Sequence, residues 1–189
     1  MADFPGSALT SIPSTVVDLD NAVVVKTPQD LINPSSTKSY ILDGVVDFTG
    51  SGVSIEVPAG GLRLIGLGLD QFGITCSDDN YTLFTTPVGG GGNLFMEDFS
   101  ITVSGTNSKV YDLTGATGSE AVEMQVINFN GCTSPGELTD YRQLLESNTG
   151  RFGGTPELTF SGPWNGARIS TSIVRGISDI TALFKTGTS

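Results

Sequence analysis

The sequence predicts an all-β protein built as a right-handed parallel β-helix, a single-stranded solenoid, and two observations predict this fold. The first is a spacing that three segments share: 62–69 (LRLIGLGL), 94–101 (LFMEDFSI) and 122–129 (VEMQVINF) are each apolar at their positions 1, 3, 6 and 8. Steps of two are the strand period, and the step of three allows a corner between two short strands. The second is the period, because the copies begin 32 and then 28 residues apart, which is typical of solenoids.

Stacking the three copies predicts four vertical columns of core side chains. The columns are Leu62, Leu94 and Val122; Leu64, Met96 and Met124; Leu67, Phe99 and Ile127; and Leu69, Ile101 and Phe129. Parallel strands lie about 4.8 Å apart, so neighbouring rows are in contact, and burying each side chain stabilises the fold by roughly 1.5–3 kcal/mol. An antiparallel sandwich is the alternative, since alternation alone fits both folds. The corner and the period favour the solenoid.

A third strand per turn is predicted from the residues before each copy. These residues are Val53, Ile55 and Val57, then Tyr81, Leu83 and Thr85, then Val110 or Tyr111 with Leu113. The segment at 40–48 (YILDGVVDF) leads into the coils, with Tyr40, Leu42 and Val45 at template positions. Each turn of the coil is therefore expected to contain three short strands.

Two regions are predicted from these patterns. Residues 1–38 are expected to form an irregular capping segment over the open edge of the coil, with Asp30 in a short helical turn. Residues 39–189 are expected to form the β-helix domain. A helical excursion is predicted near 137–147, because Leu138, Tyr141, Leu144 and Leu145 fall on one helix face. Residues 151–189 return to strand without a capping signal.

Composition narrows the classes of partner. Nine Lys and Arg against twenty Asp and Glu give a formal net charge of −11, which repels a phosphate backbone, so no nucleic acid is expected as a partner. No apolar run is long enough to cross a bilayer and the first residues do not resemble a secretory signal, so no membrane is expected either. Cys76 and Cys132 are expected to be free, buried thiols, with a disulfide as the alternative.

The sequence predicts no catalytic residue. It contains no His, which excludes Ser-His-Asp and Cys-His nucleophile systems. Outward positions of the coils carry Glu97, Asp98 and Glu123, and Asp70 follows the first copy. Glu97 and Glu123 on neighbouring coils are the pair that a glycosidase would use. A solvated acidic surface is the interpretation that we prefer, because acids fall at unmatched template positions.

No cofactor-binding or metal-binding residue is predicted. Residues 77–80 (SDDN) are rich in oxygen ligands for Ca²⁺ but lack the EF-hand spacing, so they predict a β-turn. Residues 89–92 (GGGG) precede no Lys-Ser/Thr pair and are expected to be a flexible connection. Trp164 is expected to anchor its loop on the core, and stacking on a sugar ring is the alternative.

The segments at 62–69, 94–101 and 122–129 resemble the coils of the pectin-lyase-like β-helix superfamily. Their Gly-rich, Ser/Thr-rich and acidic setting resembles the β-helical proteins of bacteriophage virions, such as tailspikes and tail fibres. The resemblance implies a non-enzymatic virion structural protein used in host attachment or surface decoration and assembled in the host cytoplasm. It also implies a homotrimer that contacts other virion proteins and a host surface glycan.

Four late arginines, Arg142, Arg151, Arg168 and Arg175, are expected to pair with acidic groups across a subunit interface.

Two other functions stay open at this point. A polysaccharide lyase or hydrolase of the same fold would need a basic residue beside clustered acids, and the coils offer only Arg63 and Lys109. A carbohydrate-binding module would use Trp164 and Tyr141.

Overall fold

The computed structural model describes residues 21–155, 157–162, 166–170, 173–175 and 184–186. These residues form a parallel β-solenoid of about five turns, which confirms the predicted fold class. The strands are β1 (Ala22–Val25), β2 (Ser39–Leu42), β3 (Val45–Asp47), β4 (Ile55–Glu56), β5 (Leu62–Ile65), β6 (Gly73–Cys76), β7 (Thr82–Thr85), β8 (Leu94–Val103), β9 (Lys109–Thr114), β10 (Ala121–Asn130), β11 (Gly136–Thr139), β12 (Gln143–Ser147), β13 (Gly150–Phe152), β14 (Leu158–Ser161), β15 (Gly166–Ser170), β16 (Ile173–Arg175) and β17 (Phe184–Thr186).

The strands form two sheets in which every neighbour is parallel. The first arm of sheet A has the order β1-β2-β5-β8-β10-β12-β15, and β3, β6, β13 and β16 pair along its second arm. Sheet B has the order β17-β14-β11-β9-β7-β4. The long strands β8 and β10 run through both arms of sheet A. The two sheets enclose one apolar core. In the part of the chain that the structure describes, no helix is long and apolar enough to cross a membrane.

The pairing register confirms two of the predicted columns completely. Leu62 lies beside Leu94 and Leu94 beside Val122; Leu64, Met96 and Met124 align in the same way. The predicted third strand is also present, as β4, β7 and β9, with Ile55, Phe84 and Tyr111 in register. The Phe84 and Tyr111 rings stack with centroids 5.8 Å apart, an arrangement that adds to the stabilisation from burial alone.

The step of three in the repeat corresponds to one residue in the left-handed conformation. Asp98 in β8 has φ 59°, Val126 in β10 has φ 55°, and Asn148 between β12 and β13 has φ 52°. The left-handed residue interrupts the alternation, so the strand bends and its next apolar residue again points into the core. Phe99 and Ile127 follow directly and are both fully buried.

The first copy of the repeat departs from the predicted columns after Ile65. Leu67 is 67 % exposed, so its expected place beside Phe99 is wrong, and Leu69 does not lie beside Ile101. Ile74 aligns with Ile101 instead, five residues later than the repeat predicts. The backbone of Gly66 lies against Asp98 and Phe99 with no room for a side chain, and residues 66–72 then leave the coil. The apolar spacing recurs here, but the register of pairing does not follow it.

The prediction that Val45 occupies an inward position of the repeat is wrong by one residue. Val45 is 57 % exposed, while Val46 is buried in the core. Gly44 has φ 94°, a conformation that glycine adopts readily. Tyr40, Leu42, Val46 and Phe48 are all buried, so the inward residues on the two sides of Gly44 are four positions apart where the repeat predicts a step of three.

The helix predicted near 137–147 is wrong. This segment forms β11 and β12, and Asp140, with φ 55°, lies in the turn between them. Leu138, Tyr141 and Leu144 do share one environment, since all three are fully buried. A helix of eleven residues is marginal by itself, whereas β11 pairs with β9 and β14, and β12 with β10 and β15. Stacking on existing coils therefore overrides the helical periodicity.

The first described residues already belong to the solenoid. Ala22–Val25 pairs in parallel with β2, inside the region where an irregular cap is expected. Pro28–Leu31 forms a 3-10 helix, which confirms the helical turn at Asp30. The Asp30 carboxylate accepts hydrogen bonds from the backbone N–H groups of Lys26 and Thr27, both at 2.9 Å. These bonds hold the pKa of Asp30 below its ordinary value.

Both cysteines are free and buried, as predicted. The Cys132 Sγ lies 3.4 Å from the Val103 backbone nitrogen and 3.4 Å from the Ile101 carbonyl oxygen. Burial raises the pKa of Cys132 to about 11, so this thiol is protonated at neutral pH.

The predictions for residues 1–20 and for Trp164 lie outside the described residues.

Candidate functional site

The outward positions of the first arm of sheet A combine apolar, acidic, basic and amide side chains, and we call this surface the outward face of sheet A. Because strand side chains alternate, each strand contributes every second residue to it. Two columns run along the face in register: Ala22, Ser39, Arg63, Phe95, Glu123, Leu145 and Arg168; and Val24, Ile41, Ile65, Glu97, Gln125, Ser147 and Ser170.

The two candidate acid residues are on adjacent strands of this face but in different columns. Glu97 aligns with Gln125, and Glu123 aligns with Phe95. Glu97 forms a long ion pair with Arg63 at 3.8 Å, and Glu123 accepts a hydrogen bond from Gln125 Nε2 at 3.0 Å. Each carboxylate therefore has its own partner, and the pair is diagonal across the sheet. Asp98 lies at the corner of β8, and Asp70 is exposed in the excursion at 66–72.

Arg63 is the most enclosed cation on this face. Its guanidinium carbon lies 4.7 Å from the centroid of the Phe95 ring, a cation–π contact. The Nε and Nη2 atoms of Arg63 are buried and have no hydrogen-bond partner among the described residues. The Glu97 carboxylate balances the charge without making a short hydrogen bond. Arg63, Phe95 and Glu97 thus pack on one another in the middle of the face, in an arrangement that explains their packing without a catalytic role.

A cleft opens at the far end of the face, across β10, β12 and β15. Its volume is about 180 Å³, and it is lined by Glu123, Gln125, Leu145, Ser147, Arg168 and Ser170, with backbone from β10 and β12. Leu145 supplies an apolar floor, while the carboxylate, amide, hydroxyl and guanidinium groups supply donors and acceptors. Such a mixture suits a polar ligand with several hydroxyl groups.

The residues considered for Ca²⁺ stack the turns of the coil on one another. Asp78 accepts a hydrogen bond from the Gly50 backbone N–H at 2.7 Å, and Asp79 accepts one from the Thr106 N–H at 2.7 Å. Asn80 lies in the left-handed region, with φ 56°, as expected of a turn residue. Among the described residues, no group of three or more His, Cys, Asp or Glu side chains is arranged to hold a metal ion.

The glycines at 89–92 form a close-packed corner, so the prediction of a flexible connection is wrong for most of them. Gly90, Gly91 and Gly92 are buried. A Cβ on Gly92 would lie 2.4 Å from the Ala59 carbonyl oxygen, and one on Gly90 would lie 2.6 Å from the Ala116 backbone. Glycine is required here because the backbones of successive coils approach closely.

Other residues singled out from the sequence serve the fold. The Tyr141 side chain is fully buried and its hydroxyl donates to the Gly92 carbonyl oxygen at 2.8 Å, so it presents no surface to a sugar. Lys109 pairs with Asp112 at 2.8 Å. Arg151 pairs with Glu146 inside the core of its own chain, while Arg142 and Arg168 are exposed.

The sequence analysis missed the ion pair between Glu146 and Arg151. In the fourth copy of the repeat the four inward positions are Leu144, Glu146, Thr149 and Arg151, because Glu146 aligns with Met124 and Arg151 with Phe129. The guanidinium also lies 5.5 Å from the Phe129 ring centroid. Burial raises the pKa of Glu146, against the opposing effect of the Arg151 charge. The spacing of positions 1, 3, 6 and 8 is present at 144–151, but three of its residues are polar, so apolarity could not reveal it.

No protein-family model matches the chain, and no curated protein or solved structure is detectably similar to it. The structure therefore defines the class by fold alone: a parallel β-solenoid of about five turns.

Proposed function

We propose that the chain is a non-enzymatic structural protein of a bacteriophage particle, a tail spike, tail fibre or surface module used in host attachment. The observation that carries the proposal is that acidic and oxygen-bearing side chains on the coils pair between turns instead of converging. Asp78 and Asp79 bind backbone of adjacent coils, and Glu97 pairs with Arg63. This pattern suits a rigid rod, and the resemblance of the coils to phage β-helices supports the biological setting.

The proposal includes assembly as a homotrimer with other virion proteins as neighbours. One inward residue of the last described coil is accessible: Ile169, which aligns with Glu146, is 36 % exposed. Burial of such a side chain against a neighbouring copy would stabilise an assembly. Antiserum against the chain should label the surface of purified phage particles in negative-stain electron micrographs. Absence of label on particles that contain the chain by mass spectrometry would reject a surface location.

The non-enzymatic part of the proposal has its own test. Purified protein should leave capsular polysaccharide of the host intact over long incubation, because Glu97 and Glu123 are separately paired and lie diagonally. The double variant Glu97→Gln with Glu123→Gln should retain the fold and any cell-surface attachment. Release of sugar that this double variant abolishes would show that the two carboxylates act as an acid and base pair.

The cleft favours a second candidate function, carbohydrate binding without catalysis. Its apolar floor at Leu145 lies between the Glu123 carboxylate and the Arg168 guanidinium, so a sugar bearing hydroxyl and acidic groups would find complementary partners. Binding of host polysaccharide, measured by calorimetry, should weaken in Arg168→Ala and stay unchanged in Lys109→Ala, a cation on sheet B. Equal binding by both variants and the unaltered chain would exclude the cleft.

A further inference from the structure

The two sheets present different outward surfaces. The outward positions of sheet B are polar or charged throughout the described coils: Glu56, Thr85, Asp112, Thr114, Glu137 and Thr139 are examples. The outward face of sheet A instead carries apolar side chains on its first three strands. A sheet with one face on the core and one in water normally alternates cleanly, so apolar residues on both faces of sheet A need an explanation.

The apolar part of the outward face of sheet A is a continuous column. Val24, Ile41 and Ile65 align on β1, β2 and β5. Val24 is 52 % exposed and Ile41 is partly exposed, while Ile65 is buried outside the main core. Val24 and Ile41 are therefore the neighbouring apolar side chains of the column that solvent reaches, and contiguous exposed apolar groups mark interaction surfaces more often than isolated ones do.

The charges of this face balance, in contrast to those of the whole chain. Arg63 and Arg168 are its basic residues, and Glu97 and Glu123 are its acidic residues. The complete chain has a formal net charge of −11. Two copies of so acidic a protein repel each other at most surfaces, and a balanced face with an apolar end is where they can approach without that penalty. A basic partner would be attracted by the acidic surfaces instead.

We propose that copies of the chain pack against one another through the apolar end of the outward face of sheet A. The occupant of the surface formed by Val24 and Ile41 is thus a second copy of the chain. The inference rests on the oligomer in the proposed function and adds the face that forms it. Arg63 and Glu97 border the apolar column and complement the same groups of the next copy.

The test places acidic groups on this face and compares them with equal charge elsewhere. The face variant is Val24→Glu with Ile41→Glu, and the control variant is Val88→Glu with Thr114→Glu. Val24, Val88 and Thr114 are exposed, Ile41 is partly exposed, and Val88 and Thr114 lie off the face. Sedimentation velocity at tens of micromolar, a working range for specific association, should show an oligomer for the unaltered chain and the control variant. The face variant should be monomeric, with association weakened at least about 100-fold.

Circular dichroism separates loss of assembly from loss of fold, and the face variant should retain the unaltered spectrum. If it does not, Val24→Ser with Ile41→Ser replaces it, with association expected to weaken by about tenfold. The proposal is rejected if the folded face variant or its serine replacement assembles as tightly as the unaltered chain, or if the control variant dissociates equally. A monomeric unaltered chain rejects both the oligomer and this face, and the sugar-release assay then still decides the non-enzymatic function independently.

Discussion

Asp98, Val126 and Asn148 occupy one position in three successive coils, and all three are left-handed. Asp and Asn tolerate this conformation because their short side chains bond locally. Val is β-branched and does not, since its Cβ substituents crowd the following carbonyl group. Val126 therefore holds local strain that stacking of β10 between β8 and β12 maintains. A strained residue of this kind is a stability defect that one substitution can remove.

We expect Val126→Asn to raise the free energy of unfolding by about 1 kcal/mol, the lower range of the cost of a left-handed β-branched residue. Equilibrium unfolding in urea measures the change. Val126→Ile keeps the branch and serves as the control, with no gain expected. An Asn variant that unfolds at the same or lower urea concentration than the unaltered chain would contradict the assignment of strain.

Met96 tests the register of the core at one residue. It is fully buried between Leu64 and Met124, so Met96→Asp would place a charge between two apolar layers. We expect this variant to lose more than about 4 kcal/mol and fail to fold. Thr114→Asp, at an exposed position of β9, should change stability by less than about 0.5 kcal/mol. Thermal unfolding followed by circular dichroism compares the two, and equal losses would show that the register is wrong.

At the scale of an element, the fourth copy of the repeat differs from its neighbours. Glu146 and Arg151 are both buried and form an ion pair where the previous coil has Met124 and Phe129. Glu146 Oε2 and the Thr149 hydroxyl are buried without a hydrogen-bond partner among the described residues. Desolvation of such a pair cancels much of its attraction. The pair is therefore expected to define how β12 and β13 fold together more than to add stability.

Removing half of the ion pair should cost more than replacing all of it. Glu146→Met alone leaves the Arg151 charge in the core without its carboxylate, and we expect a loss of about 3–5 kcal/mol. The double variant Glu146→Met with Arg151→Leu continues the apolar columns and should be as stable as the unaltered chain or more so. Urea unfolding of the three proteins gives the comparison. A double variant less stable than the single one would disprove that the pair is a net cost.

The raised pKa of Glu146 should make its contribution to the free energy of unfolding decrease as pH rises. Burial raises the folded-state pKa of Glu146 above its ordinary value of 4.5. The folded state then holds this proton more tightly than the unfolded state does. The stability from this group is complete below pH 4.5 and is lost as pH rises through the folded-state pKa. The free energy of unfolding of the unaltered chain minus that of Glu146→Gln should therefore fall as pH increases above 4.5, and a rise would contradict the shift.

At the scale of the molecule, charge is distributed unequally along the chain. Residues 1–135 contain four basic and fifteen acidic residues, whereas residues 136–189 contain five of each. The whole net charge of −11 is therefore carried by the first 135 residues. The later part adds its strands at the other end of both sheets. Residues 136–189 therefore add no net charge to the repulsion between two copies of the chain.

Deleting residues 151–189 should disrupt assembly. The deletion removes Arg151 from its pair with Glu146 and removes the strands stacked on β11 and β12. We expect a monomer or an aggregate in sedimentation velocity, because exposed strand edges recruit other chains. The full chain at the same concentration is the control and is expected to be a trimer. A truncated protein that remains a soluble trimer would show that these residues do not contribute to assembly.

The parts of the fold that were predictable are those where local spacing and stacking agree. The second and third copies keep one spacing and one register, so the columns through Met96 and Met124 could be predicted from their side chains alone. The prediction failed at Leu67 and Val45, where extra residues or a left-handed glycine change the register without changing the alternation. It failed at 137–147 because a short apolar pattern fits both periods.

The candidate site was likewise predictable from the sequence only in part. That Glu97 and Glu123 face outward followed from alternation, but their diagonal placement required the register of β8 and β10. The cleft at Leu145 could not be predicted, because the helical interpretation of 137–147 removed β12 from the sheet. The buried pair of Glu146 and Arg151 breaks the rule that inward positions are apolar, so no hydrophobic pattern could locate it.

The sequence by itself determined the class of fold, the identity of most core residues and the absence of His-based chemistry, because alternation, period and composition are local properties of the chain. The tertiary structure alone decided which residues meet across coils: Ile74 beside Ile101, Glu146 beside Met124, and the apolar column through Val24, Ile41 and Ile65. The physical reason is that strand pairing between coils is non-local. A residue's neighbours are set by the register of backbone hydrogen bonds between coils, and the length of each connecting loop changes that register without altering the strands it joins.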